Sequence, residues 1–428
     1  MSSSQNAKVN DTSTLNASAR KKDNVAPTMD RKLMWVMAVT CALTVANIYY
    51  IQPLLADIAQ SFAVAQGTAG VIATLSQVGF VFGLILILPL GDAFERRHLV
   101  PLAMCAVTIA LIATALAPSI VFLAVASFAV GVTSVVPQII VPFAATLAAP
   151  RERGRVVGTI MSGLLIGILL ARTVSGFVGA QFGWRTMYWI AAGMTLALTF
   201  ILRLLLPKER PSTHISYPQL LRSLWGFARS EPVVRETGLF GAMAFGAFSA
   251  FWVTLSFFLS TPPYHYGSTV AGLFGLVGLV GALAASVVGR LSDRMNPRII
   301  SGVVIVCTLV SFSIFWVGGH WLWGLIIGVI LLDLGVQGTH ISNQSRIYRL
   351  NPEARSRLNT VYMVFYFLGG SLGSLLGAYG WSIARWNGVC VVGVTMVGIS
   401  LTTYIIGSIR EGKHLGEGRD ATRTLDAR

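Results

Sequence analysis

Leu90-Gly91-Asp92-Ala93-Phe94-Glu95-Arg96-Arg97 and Gly289-Arg290-Leu291-Ser292-Asp293-Arg294-Met295 are two copies of one short polar break, set about 200 residues apart. Each copy separates two apolar stretches long enough to cross a bilayer, for which a helix needs about 20 mainly apolar residues. Reading outward from the two breaks predicts twelve spans, at 33–59, 68–90, 99–117, 119–148, 156–181, 186–206, 236–260, 269–288, 299–318, 321–345, 358–382 and 388–407. The fold class is therefore all-α and integral to the membrane, built as two six-helix pseudo-repeats. A membrane bundle that repeats itself in this way has the organisation of a transporter.

Composition agrees with that reading. With 54% hydrophobic and 11% charged residues, a chain of 428 residues is too apolar for a water-soluble globule. Long apolar runs such as 72–88 favour helices over barrel strands, in which lipid-facing and lumen-facing residues alternate. Of the 32 Lys and Arg residues, only Arg185 and Arg385 fall in loops on one side, and Arg172 lies within a span. Nearly all the others sit in loops and tails with the termini, so the positive-inside rule places both termini in the cytoplasm. The net charge of +15 then serves topology and contact with lipid head groups. No soluble basic domain is left to bind nucleic acid.

The expected organisation is a disordered cytoplasmic tail at 1–32, a six-helix bundle at 33–206, a cytoplasmic linker at 207–235, a second bundle at 236–407 and a short tail at 408–428. Within the linker, Tyr217, Leu220, Leu221, Leu224 and Ala228 follow helical spacing, which suits an interfacial helix. Cys41, Cys105, Cys307 and Cys390 all fall inside spans without metal-ligand spacing and read as packing residues. No Gly-x-x-x-x-Gly-Lys-Ser/Thr loop exists for a nucleotide, and no His/Asp/Glu or Ser/His/Asp constellation supports an enzyme. No cofactor and no metal are expected.

Further landmarks repeat between the halves. Arg153 and Arg155 match Arg355 and Arg357, and Ala171-Arg172-Thr173-Val174-Ser175-Gly176 lies where Gly369-Gly370-Ser371-Leu372-Gly373-Ser374 lies. With these in register, the chain from 33 to about 407 resembles the major facilitator superfamily, whose halves are six-helix repeats. The loop signature of that family is carried well by Gly289, Leu291, Asp293, Arg294 and Arg298. In the first copy Leu88, Ala93 and Glu95 depart from it, while Asp92, Arg96 and Arg97 remain. Ala171 to Gly176 resembles the Gly-Pro-x-x-Gly-Gly element of the drug:proton antiporter branch, with Arg172 in the Pro position and Ser127 where that branch usually carries Arg. The resemblance implies a multi-pass protein of the bacterial inner membrane that acts as a monomer on a small-molecule substrate, with protons as coupling ion.

An acid at the end of a helix can pair with arginine and accept from neighbouring helix N-termini. Asp92 with Arg96 or Arg97, and Asp293 with Arg294, are thus expected to latch the cytoplasmic face and to release when it opens. The resemblance also implies that spans 1, 4, 7 and 10 line the central cavity. In span 10, Asp333, Gln337, His340 and Gln344 share one helical face. Counting from Trp321, Asp333 lies about 18 Å into a core of about 30 Å. It is the only acidic residue placed deep inside a span, where a charge costs about 2.5 to 3.5 kcal/mol. Asp333 is accordingly the expected proton-coupling or substrate-contacting residue, with His340 and Gln337 beside it.

Asn47 and Tyr50 of span 1, Gln138 between Pro137 and Pro142 of span 4, and Phe248, Phe251 and Trp252 of span 7 are the other expected cavity residues. Arg172 requires a counter-charge, and Asp57 at the outer end of span 1 is the expected partner; an equal alternative is that Arg172 binds an anionic group of the substrate. The leading functional expectation is proton-coupled antiport that exports small drug-like or sugar-like compounds by alternating access. The alternatives are uptake or facilitated diffusion of an anionic metabolite and, more remotely, a transporter-like sensor.

Overall fold

The computed structural model describes residues 30–149, 151–208, 217–294, 297–350 and 355–426, with the backbone alone at 92, 220, 282, 285–294, 297, 355–356 and 410–426. The expected tail at 1–32 therefore lies almost wholly outside the described residues. Among those described, the regular elements are helices and there are no strands. Ten stretches are helical, long and apolar enough to cross a membrane. One of these, Arg357–Ile409, makes two passes because Ala384 and Arg385 leave helical geometry between them. The helix Ser268–Arg294 adds a further pass, which gives twelve in all.

Span 1 comprises Arg31–Tyr49 and Ile51–Ser61, and span 4 comprises Ile120–Thr133 and Val136–Leu147. Spans 2, 3, 5 and 6 are Gln66–Leu86, Arg96–Ala115, Arg153–Phe182 and Trp184–Leu205. Spans 7 to 10 are Pro232–Leu259, Ser268–Arg294, Pro297–Gly318 and Leu322–Tyr348, and spans 11 and 12 are the two limbs of Arg355–Asp426. A separate helix, Tyr217–Ser230, stands between spans 6 and 7.

The two broken spans have the same cause. Pro53 has no N–H to give to the carbonyl of Tyr49, and Pro137 has none for Thr133. The interruptions at Tyr50 and at Ser134 and Val135 fall about one turn before each proline.

The repeat is visible in packing. Span 5 lies along span 1 as span 11 lies along span 7. At Gly167 an added Cβ would collide with the carbonyl of Ala42, and at Gly373 it would collide with that of Gly246. Such backbone-to-backbone approach is how helices associate when lipid outside is as apolar as their own side chains. Between the halves, span 2 packs on span 11 and span 5 on span 8. The contact between the halves is polar in places: the hydroxyls of Thr74 on span 2 and Ser374 on span 11 are 2.8 Å apart, and Ser249 Oγ on span 7 donates to Gln77 Oε1 on span 2 at 3.3 Å.

Candidate functional site

Arg172 and Asp333 come from different halves and meet the same helix. On span 8, a Cβ at Gly275 would lie 3.1 Å from Arg172 Cβ, and one at Gly278 would lie 3.0 Å from Asp333 Oδ2. These glycines are three residues apart, so the two side chains stand about one turn, roughly 4.5 Å, apart along span 8. Both are 1% exposed.

The guanidinium of Arg172 is held by neutral groups. Its Nε donates to Gln52 Oε1 at 2.7 Å. Its Cζ lies 4.0 Å from the ring centre of Trp252, 5.0 Å from Tyr49 and 5.4 Å from Phe248. Ring faces attract a cation by their quadrupole and offset part of its desolvation. Nη1 and Nη2 of Arg172, and Oδ2 of Asp333, have no hydrogen-bond partner among the described residues. The field of Asp333 reaches Arg172, yet no hydrogen bond joins them.

The expected pair of Asp57 and Arg172 is not formed here: Asp57 makes no ion pair or hydrogen bond with Arg172 in this conformation. The Arg172 side chain reaches Gln52, five residues before Asp57 on the same span, and its acidic neighbour is Asp333.

Of the other expected residues, Asn47 is buried with neither amide atom paired among the described residues, and Tyr50, three residues on, is buried as well. Trp252 is buried against Arg172, and its indole N–H has no partner among the described residues. Gln337 is half-buried. His340 Nδ1 lies 3.1 Å from Tyr362 Oη, and its ring centre is 4.9 Å from that of Tyr366. Gln138 stands apart from this group: it lines a cavity on the face bearing the termini, together with Arg96, Pro142, Leu224, Arg357 and Thr360.

Of the expected latch, the side chains of Asp92, Asp293 and Arg294 lie outside the described residues. Arg96 Nε donates to the carbonyl of Gly91 at 2.9 Å, and Nε of Arg97 has no partner among the described residues. The charge network that is described on this face centres instead on Glu236, which accepts from Arg346 at 2.7 Å and from Arg298 at 3.4 Å. Sequence reading missed Glu236, and it missed Gly272, Gly275, Gly278 and Gly281, whose three-residue spacing was there to be read. Among the described residues no three His, Cys, Asp or Glu side chains gather as a metal site.

A buried arginine and a buried carboxylate that pack from opposite halves on one helix suit a bundle that moves something through its centre. The sequence model of the Major Facilitator Superfamily matches residues 37–374. The chain belongs to that superfamily. It is 42% identical over 379 residues to a putative uncharacterized transporter, YgaY, of Escherichia coli strain K12, covering 89% of this chain and 96% of that one. It is 30% identical over 364 residues to a probable transporter of Streptomyces coelicolor, covering 85% and 84%. Among solved structures, a bacterial homologue of the human lysosomal transporter Spinster, in an inward-facing and unoccupied conformation, superposes with a TM-score of 0.69 at 15% identity over 88% of this chain and 94% of that one. This superfamily member is a transporter rather than an enzyme, and a multi-pass protein of a bacterial inner membrane.

Proposed function

We propose that this protein is a proton-coupled secondary transporter that moves small organic compounds by alternating access, with Asp333 as the group that carries the proton. The observation that supports this is the burial of Asp333 between the halves, opposite Arg172 and with an unpaired carboxylate oxygen. A carboxylate so placed is stable when it holds a proton or faces a cation, and alternation between those states is what coupling requires. Residues 33–206 and 236–407 move as two bodies around that point, joined by the linker at 207–235, with both termini in the cytoplasm and the monomer as working unit. One charge crossing about 150 mV releases about 3.5 kcal/mol, enough for a gradient of a few hundredfold.

Export by antiport is the first mode: a substrate that competes with the proton for Asp333 leaves as the proton enters. Co-transport is the second, favoured by the unpaired Nη groups of Arg172, which offer a separate place for an anion. Purified protein in liposomes with an internal pH dye tests the coupling. Compound-dependent proton movement in wild type that is absent in Asp333→Asn is the expected result. Substrate flux without proton movement would make the protein a facilitator and Asp333 a contact or a packing group.

A further inference from the structure

We infer that Arg172, Gln52 and Trp252 form a carboxylate-binding site, and that the substrate is a small organic monoanion with a flat apolar body whose binding is obligatorily accompanied by a proton. The inference rests on the proton-coupled reading of Asp333 and names the substrate class of that same site.

Three observations carry it. The first is a cation with donors unspent. Arg172 is buried, an arginine does not lose its proton, and of its three nitrogens only Nε is used. With Nε fixed on Gln52, the planar group keeps one orientation and presents Nη1 and Nη2 as the fork that matches the two oxygens of a carboxylate.

The second is the wall. Trp252, Tyr49 and Phe248 gather around the guanidinium, and Trp252 keeps an unpaired indole N–H there. Aromatic faces would also suit an organic cation, but here an immobile positive charge is already stacked on them. A second cation meets repulsion, a neutral compound leaves the fork unpaired, and an anion with a flat apolar body answers both features.

The third is the counter-charge held apart. Gly275 and Gly278 set Arg172 and Asp333 one turn apart on span 8, close enough to interact and not hydrogen-bonded. Other groups around Asp333 do not replace Arg172. Along span 8 it lies against Gly278 and Gly281, span 11 brings the phenol of Tyr366, span 9 brings Cys307 to the carbonyl of Leu331, and His340 on its own span turns to Tyr362 and Tyr366. When an anion occupies the fork, Arg172 is neutralised and Asp333 is left buried without a counter-charge. Its stable form is then the carboxylic acid, so it takes one proton from water as the anion binds. When the anion leaves, the proton leaves and Asp333 again compensates Arg172. Substrate and proton bind together, so for such an anion the second of the two modes, co-transport, is the one that operates. Arg357 at the cavity on the face bearing the termini adds positive charge that favours approach of an anion from that side.

Benzoate, benzyl alcohol and benzylamine, one ring with three charges, are the probes. Binding to purified protein in detergent, without any gradient, is measured by calorimetry in two buffers of different ionisation enthalpy, which counts protons taken up. Benzoate alone is expected to bind, with about one proton taken up per molecule; Arg172→Gln is expected to weaken it at least tenfold. Arg172→Lys keeps the charge without the fork and is expected to lie between, which serves if the glutamine variant does not fold. Asp333→Asn is expected to bind benzoate at least as tightly as wild type and without proton uptake. Binding of benzylamine in preference to benzoate, no benzoate binding by wild type, benzoate binding unaltered in both Arg172 variants, or benzoate binding without proton uptake in wild type overturns the inference. If proton flux driven by some other compound persists in liposomes while benzoate fails here, the carboxylate site falls and the proton-coupled reading stands; loss of coupled flux for every compound removes that reading as well.

Discussion

The indole N–H of Trp381 donates to Gln66 Oε1 at 2.8 Å and so ties span 11 of the second half to the first turn of span 2 in the first half. Gln66 reaches a third helix as well, through Nε2 to Ser260 Oγ at 3.4 Å at the end of span 7. Both contacts lie at the face away from the termini. Beside them Ala378 packs against the site of Gly70, where an added Cβ would lie 2.7 Å from its own. This face is therefore closed by contact between the halves.

If the Gln66 bonds help hold that closure, Gln66→Ala will open it more often. A hydrogen bond contributes about 1 kcal/mol net, which corresponds to about a fivefold change in the open population. Labelling of Ala378→Cys by a membrane-impermeant maleimide, in a background lacking the native cysteines, is expected to accelerate by about that factor. An unchanged rate would show that the apolar packing closes the face without this bond.

Glu236 holds spans 7, 9 and 10 together through Arg346 and Arg298, with its own side chain 20% exposed and each arginine 12% exposed. Removing the acid leaves partly buried positive charge less well compensated, so Glu236→Ala is expected to lower stability by about 2 kcal/mol, between the values for surface and buried pairs. Glu236→Gln keeps an acceptor for Arg346 and is expected to lose less. Thermal melting of the purified variants in detergent distinguishes these outcomes, and equal losses would mean that shape rather than charge matters at this position.

Two glycines of similar sequence context are expected to respond oppositely to alanine. Gly373 stands against the carbonyl of Gly246, so Gly373→Ala must separate spans 11 and 7 and is expected to cost about 1–3 kcal/mol. Gly193, in span 6, has open space where a Cβ would go, and Gly193→Ala is expected to be neutral or slightly stabilising. The same melting assay reads both. A stable Gly373→Ala variant would remove close packing as the reason for that glycine.

Much of the fold was legible in the sequence, because length of apolar run and recurrence of a polar break are local properties. The breaks at Tyr50 and at Ser134 and Val135 also follow from Pro53 and Pro137 once a proline is asked which carbonyl it abandons. Asp333 could be singled out because an acid at mid-membrane is costly wherever it points. Its relation to Arg172 could not be read. Asp57 was the nearer candidate by depth and by half, and the choice between it and Asp333 depends on which helices of opposite halves meet on span 8. Gly275 and Gly278 make that meeting, and spacing along one helix does not say what lies against it.

The pairing itself is open to a double-mutant cycle. Arg172→Gln leaves Asp333 buried without its counter-charge, and Asp333→Asn does the same to Arg172, so each alone is expected to lower the melting temperature. In the double variant neither charge remains, and the loss is expected to be smaller than the sum of the two by about 1–3 kcal/mol, the range found for interacting neighbours. Asp57→Asn combined with Arg172→Gln provides the comparison. Because Arg172 bonds Gln52 and not Asp57, these two losses are expected to add within about 0.5 kcal/mol. Strong coupling to Asp57 and none to Asp333 would return Arg172 to the outer acid. It would also remove the reason for expecting a proton to accompany an anion, since the charge that an anion displaces would then sit at the far end of span 1.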